Sequence, residues 1–150
     1  MALSAACSLS ACGKKESPRP PQLVRPQTIQ DLNARPVEDG IRLTWTRPTA
    51  TVEGRSMPDL DGVMISRAAE VPTSTRPEDL IFEHIATIHL DDRGRFNKVR
   101  KMTFDDRSVV AGTVYLYRVT AFTLDRYFSL PSPAARSRWP GAPPATRPEP

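Results

Sequence analysis

With 150 residues, 39% hydrophobic and 25% charged, the chain is long enough for one folded domain with tails, and no stretch approaches the roughly 18 apolar residues of a membrane-spanning helix. The net charge of +4 resides in the tails: +3 before Thr28, +2 from Arg136 onward, and −1 between them. Basic residues in the middle interleave with acids as on a solvated surface, so a nucleic-acid-binding face is excluded. Eleven of the sixteen prolines fall in 18–26 and 131–150, which marks both ends as Pro-rich tails around a more apolar core. Only Cys7 and Cys12 are present, so there is neither a disulfide framework nor a metal-ligand spacing.

The chain opens MALSAACSLSACGKKE. Leu9-Ser10-Ala11-Cys12 resembles a bacterial lipoprotein signal, in which an apolar residue and two small ones precede the acylated cysteine. The resemblance implies cleavage before Cys12, acyl chains on it and membrane attachment, since more than one chain is needed for a stable anchor. No Lys or Arg precedes Cys12 and the apolar stretch is short, whereas a secretory signal has a basic start and about 7–15 apolar residues. A start upstream is therefore expected. Residues 12–26 read as the lipidated cysteine and a solvated, Pro-rich basic spacer, whose charges suit an anionic membrane surface.

Strand patterns follow. Ile29, Leu32 and Ala34 mark a first short strand with an irregular step. Asp39-Gly40 is a turn signal, and Ile41-Arg42-Leu43-Thr44-Trp45 alternates strictly, placing Ile41, Leu43 and Trp45 on one face. Asp61-Gly62 reads as another turn, followed by a strand through Val63 and Ile65. Over Ile81–Leu90, Phe82, His84, Ala86 and Ile88 share one parity, but Ile81, Ile85 and His89 do not sort with either face. Asp91-Asp92-Arg93-Gly94 reads as a turn, and Val99–Phe104 as a weaker fifth strand. Thr113–Thr123 is the clearest strand, with Tyr115, Tyr117, Val119 and Ala121 inward. Phe128–Trp139 is interrupted by Pro131 and Pro133, as on an edge strand. One helical turn is expected within Glu70–Leu80. Seven short strands in about 110 residues point to an all-β, two-sheet sandwich.

Three segments resemble a fibronectin type III domain over 27–138. They are Ile41-x-Leu43-x-Trp45 before Pro48, Gly62-Val63-Met64-Ile65-Ser66-Arg67, and Phe104-Asp105-Asp106 through Val109, Gly112, Thr113, Tyr115, Tyr117-Arg118-Val119 and Ala121. Ser129, Pro131, Ser132 and Pro133 fit the approach to the last strand. The resemblance implies a seven-stranded Greek-key β-sandwich of immunoglobulin-like kind, with Trp45 in the core. It also places Tyr115 at a tyrosine corner, its hydroxyl bonded to backbone near Val109. Tyr117 is expected to send its hydroxyl to the sandwich edge or to water, and Trp139 to lie in or near a disordered tail over 139–150. Val63 replaces the usual aromatic, and the Pro48–Leu60 connection is long for its position.

No catalytic constellation is legible. His84 and His89, five apart in a strand, are expected on opposite faces. Asp59, Asp61, Asp91, Asp92, Asp105 and Asp106 raise the question of calcium, yet Asp59-x-Asp61-Gly62 is too short for an EF-hand loop. Ser66, Ser108 and Ser129 have no base at a readable spacing. No enzyme activity, metal or cofactor is expected. Arg93, Arg95, Lys98, Arg100 and Lys101 form a basic run that reads either as a ligand patch for an acidic glycan or lipid or as a charged edge that discourages strand pairing. The resemblance implies a non-catalytic binding or scaffolding module whose partner is an envelope protein or polysaccharide. The alternatives are an accessory subunit of an envelope enzyme or transport complex, or an enzyme with an unrecognised site. Gly13 after the cysteine, where an aspartate would favour the inner membrane, points to the outer membrane facing the periplasm.

Overall fold

A computed structural model describes residues 20–70, 80–90 and 100–142. Strict alternation makes β2 (Gly40–Thr46), whose Ile41, Leu43 and Trp45 are fully buried while Arg42 and Thr44 face outward. β1 (Asn33–Val37) pairs antiparallel with one edge of β2 and β5 (Lys101–Asp106) with the other, giving a three-stranded sheet. The second sheet has four antiparallel strands in the order β4 (Glu83–His89), β3 (Leu60–Ala69), β6 (Val114–Thr123), β7 (Ala135–Arg138). The chain crosses between sheets after β2, β4 and β5, which is a Greek-key course. Ile41, Leu43 and Trp45 meet Val63, Ile65, Tyr117, Val119 and Ala121 between the layers, all of them at most 1% exposed. Burial of this apolar surface supplies the main stabilisation, about 25 cal/mol per Å² removed from water.

β4 explains its own mixed parity. Its register against β3 slips between Ile65, opposite Ala86, and Ser66, opposite His84, so Ile85 is an extra residue in a β-bulge. The bulge lets Ile85, Ala86 and Ile88 all pack on the core. It also overturns the expectation for the histidines: His84 and His89 pair with Ser66 and Gly62, residues of one parity, and so share the outer face. They stand a strand segment apart and form no pair.

Gly62 is not a turn residue but lies inside β3. A Cβ there would collide with the Ile88 carbonyl oxygen and come within 2.9 Å of the Phe122 ring, so glycine is required by close approach. β5 begins and ends two residues later than expected, which makes Asp105 and Asp106 the last residues of the strand.

Both presumed tails contribute to the fold. The spacer is not solvated throughout: Pro21–Val24 forms a single helical turn, α1, and Pro26 is fully buried, bridged to Thr51. Trp139 packs against the core and donates its Nε1 hydrogen to the Val37 carbonyl at 3.0 Å, tying the end of β7 to the end of β1. The expected helical turn within Glu70–Leu80 falls mostly on residues outside the described ones.

Candidate functional site

The concentrated polar chemistry of the described residues lies between the sheets where β5 gives way to β6. Residues 105 and 106 alternate across β5. Asp105 faces outward and takes both Nε and Nη2 of Arg42 at 2.7 Å. Arg42 holds its carboxyl below the usual range. Asp106 faces inward and is 3% exposed. Its Oδ1 accepts the Ser108 backbone N–H at 3.0 Å and the Ser108 hydroxyl at 2.8 Å. Its Oδ2 accepts Arg67 Nη1 at 2.8 Å and the Tyr117 hydroxyl at 2.9 Å. Three elements of two sheets thus converge on one carboxylate.

The electrostatics follow from that geometry. Burial by itself raises the Asp106 pKa, but the bonds from Ser108, Arg67 and Tyr117 outweigh it and hold the group below its ordinary value. Burial likewise disfavours the Arg67 cation, and the Asp106 carboxylate reverses the balance and raises its pKa. Burial, then the nearby Asp106 charge, drive the Tyr117 phenol far upward, so Tyr117 remains a donor. Each group of the cluster is engaged with another, and the arrangement clamps the sheets rather than presenting a nucleophile or a base.

Tyr115 lies beside this cluster, with the Arg67 guanidinium 5.0 Å from its ring centroid. Its hydroxyl accepts the Val110 backbone N–H at 3.0 Å, across the arch closed by Gly112, whose φ of 82° suits glycine. The expectation for Tyr117 is overturned. It is fully buried, and its hydroxyl reaches Asp106 instead of the edge or water. Sequence reasoning also missed Arg67 and Asp106 as partners, 39 residues apart in the chain. The one local signal was Asp106-x-Ser108, a spacing at which an aspartate side chain commonly accepts a backbone N–H two residues on.

The other expected residues are dispersed. Trp45 is fully buried in the core. Of the basic run, Arg100 and Lys101 are exposed at the start of β5, where the Arg100 carbonyl accepts the Arg47 N–H at 2.9 Å. Lys101 borders a shallow polar groove with Asp31, Asn33, Arg35 and Thr44. Arg93, Arg95 and Lys98 lie outside the described residues, as does Cys12. His84 Nε2 bonds the Thr87 hydroxyl at 2.8 Å, and His89 Nδ1 stands 3.3 Å from the Asp61 carboxylate. Among the described residues, no three His, Cys, Asp or Glu side chains are grouped to hold a metal ion.

Two antiparallel sheets of three and four strands, in the orders β1-β2-β5 and β4-β3-β6-β7, define a sandwich of the fibronectin type III class. The third fibronectin III domain of the human KIAA0343 protein is similar to it, with a TM-score of 0.52 and 11% identity over 90% of this chain and 99% of that one. The twitchin kinase region of C. elegans gives a TM-score of 0.52 at 16% identity over 83% of this chain, but only 18% of that much larger one. An Fn3-like protein from Clostridium thermocellum is 21% identical over 79% of this chain and 98% of its own, with a TM-score of 0.48. At these identities the likeness concerns the fold alone. No family model matches the sequence, and no curated protein matches it.

Proposed function

We propose that the chain is a lipid-anchored protein of a bacterial cell envelope, held through Cys12, whose fibronectin type III sandwich is a non-catalytic binding or scaffolding module. The observation that carries the non-catalytic reading is the cluster around Asp106. The partly buried Arg67 guanidinium and the buried Tyr117 phenol both donate to the buried Asp106 carboxylate across the sheets, and an acidic group engaged in this way suits a rigid frame that presents its loops and faces. The anchor reading rests on Leu9-Ser10-Ala11-Cys12 and the basic, Pro-containing stretch after it. Gly13 favours placement at the outer membrane, facing the periplasm. The partner is an envelope protein or polysaccharide, approached through Arg93, Arg95, Lys98, Arg100 and Lys101.

The test is fractionation and pull-down of the full chain in a bacterial envelope. The protein is expected in the membrane fraction with acyl chains on Cys12, and Cys12→Ala is expected to release it. Retention of that variant on the membrane overturns the anchor. A partner recovered with the parent and lost with Arg100→Glu/Lys101→Glu supports the binding module; recovery unchanged by the charge reversal removes the basic run from the interface.

A further inference from the structure

The Pro48–Leu60 connection, long for its position, has a visible use. Residues 49–57 fold into a small hairpin, with Ala50 bridged to Ser56, Thr51 N–H bonded to the Arg55 carbonyl at 2.8 Å and Met57 N–H to the Thr49 carbonyl at 3.0 Å. The incoming chain lies along its outer side. Pro26 bridges Thr51, Gln27 N–H donates to the Ala50 carbonyl at 3.0 Å, and Val52 N–H donates to the Arg25 carbonyl at 3.0 Å. Three ribbons thus cap one end of the sandwich and fix the point at which the N-terminal segment leaves it. The β6–β7 hairpin reaches the same end, where Leu124 N–H bonds the Asp59 carbonyl at 3.0 Å.

Exposed large apolar side chains concentrate there. Leu23 stands on the incoming chain and Val52 on the hairpin beside it, at 36% and 45% exposure, and Leu124 and Phe128 stand on the β6–β7 hairpin at 50% and 45%, with Leu130 just beyond. Among the described residues, only Ile81 and Val110 are comparably exposed elsewhere. Isolated apolar residues on a surface are ordinary, but a concentration of them marks a contact site. The charges on the two hairpins nearly cancel, Glu53 with Arg55 on one and Asp125 with Arg126 on the other, while the exposed Arg100 and Lys101 stand at the same end, beside Arg47 and Thr46, so apolar contact there is joined by a salt-screened attraction to anionic lipid.

We propose that this capped end is a lipid-contacting surface, and that the sandwich rests on the membrane that tethers it, with Val52, Leu124 and Phe128 at the acyl boundary. The inference builds on the anchor at Cys12. That residue lies eight positions before Pro20, so at about 3 Å per residue the bilayer is within about 25 Å of the cap. The short tether gives the lipid surface a high effective concentration at this end and at no other. The opposite end, with the Gly112 arch and Trp139, then points away from the membrane.

The test makes the tether chemically, so that it does not depend on natural lipidation. The full chain carrying Cys7→Ser is coupled through Cys12 to maleimide-headgroup lipid in phosphatidylethanolamine–phosphatidylglycerol vesicles containing brominated acyl chains, which quench nearby tryptophan. Tryptophan probes at Leu124→Trp and Val52→Trp are expected to show strong quenching beyond the parent, and Val110→Trp at the opposite end none. The quenching is expected to persist in high salt. Equal quenching at both ends, greater quenching at Val110→Trp, or loss in high salt overturns the proposal. Failure of native acylation at Cys12 would leave this measurement intact and bear on the anchor alone.

Discussion

Tyr115 and Tyr117 share the inward face of β6, but their hydroxyls answer to different partners. The Tyr117 hydroxyl donates to a buried carboxylate, while Tyr115 accepts from Val110, which is 64% exposed. Tyr117→Phe therefore leaves an acceptor of Asp106 short of a donor in the interior, at a cost of about 1–3 kcal/mol. Tyr115→Phe frees an N–H that water can reach, and is expected to cost under about 1 kcal/mol. Chemical denaturation of the two variants checks the order, and a larger loss at Tyr115 would mean that the arch matters more than the clamp. Asp106 carries a second expectation. Its folded pKa lies below the ordinary 3.8, so the unfolded chain takes up the proton first. The stabilisation is then complete above that value and is lost as pH falls below it through the folded pKa. Asp31 and Asp105, also lowered, act in the same window. Asp106→Asn is expected to lower stability at neutral pH by about 3 kcal/mol, since it removes the charge that balances the Arg67 cation and leaves it only the neutral Ser108 acceptors, and to flatten the decline below about pH 4. An acid limb as steep as the parent's would discount Asp106 as its source. Tyr115 was legible from its place after Gly112. Arg67 and Asp106 were not, because nothing in a linear pattern joins residues on strands that meet only through the fold.

At the level of the element, the segment before β7 shows how a strand survives its prolines. Pro131 and Pro133 cannot donate to a ladder, yet Ser129 and Ser132 extend the pairing with β6. Their N–H groups donate to the Ala121 and Val119 carbonyls at 2.9 Å, and their side-chain oxygens accept the Ala121 and Val119 N–H groups at 3.0 and 3.1 Å. Each hydroxyl then donates onward, to the Leu130 and Pro133 carbonyls. A serine hydroxyl thus stands in for a backbone carbonyl. Ser132→Ala is expected to orphan the Val119 N–H, costing about 1–3 kcal/mol, and to speed hydrogen exchange at Val119 relative to Val63 on β3. Unchanged exchange at that amide would show that it finds another acceptor. β2 and β6 were legible because strict alternation maps directly onto one buried face. β4 was only half legible, since the bulge at Ile85 shifts parity in mid-strand and mixes the two faces in the sequence. The prolines before β7 pointed to an edge strand, which β7 is, but not to the pairing with β6 that Ser129 and Ser132 carry past them.

Across the whole molecule, the terminal segments are where composition misled. A Pro-rich, polar stretch reads as solvated spacer, but burial is decided by what the stretch lies against. Pro26 is covered by the 49–57 hairpin, and Trp139 by the seam between β7 and β1. A chain beginning at Thr28 is accordingly expected to lose about 1–3 kcal/mol relative to one beginning at Pro20, because the Arg25 and Gln27 backbone bonds and the Pro26 contact go with it. Equal melting temperatures for the two would show that the cap contributes no stability. The sandwich as a class was legible from strand count and spacing, whereas the cap was not, since its Pro26–Thr51 bridge joins a terminal segment to a loop. The placement of the two chain ends has a mechanical consequence. The chain enters at the capped end, and its last strand runs out past Arg138 at the opposite end. When the N-terminal segment is held and the C-terminal segment is pulled, the load runs along β1 and β7 and across their hydrogen bonds to β2 and β6. Those bonds are then loaded together in shear instead of being peeled open one after another, which is the geometry in which a small sandwich without a disulfide between its sheets best withstands force.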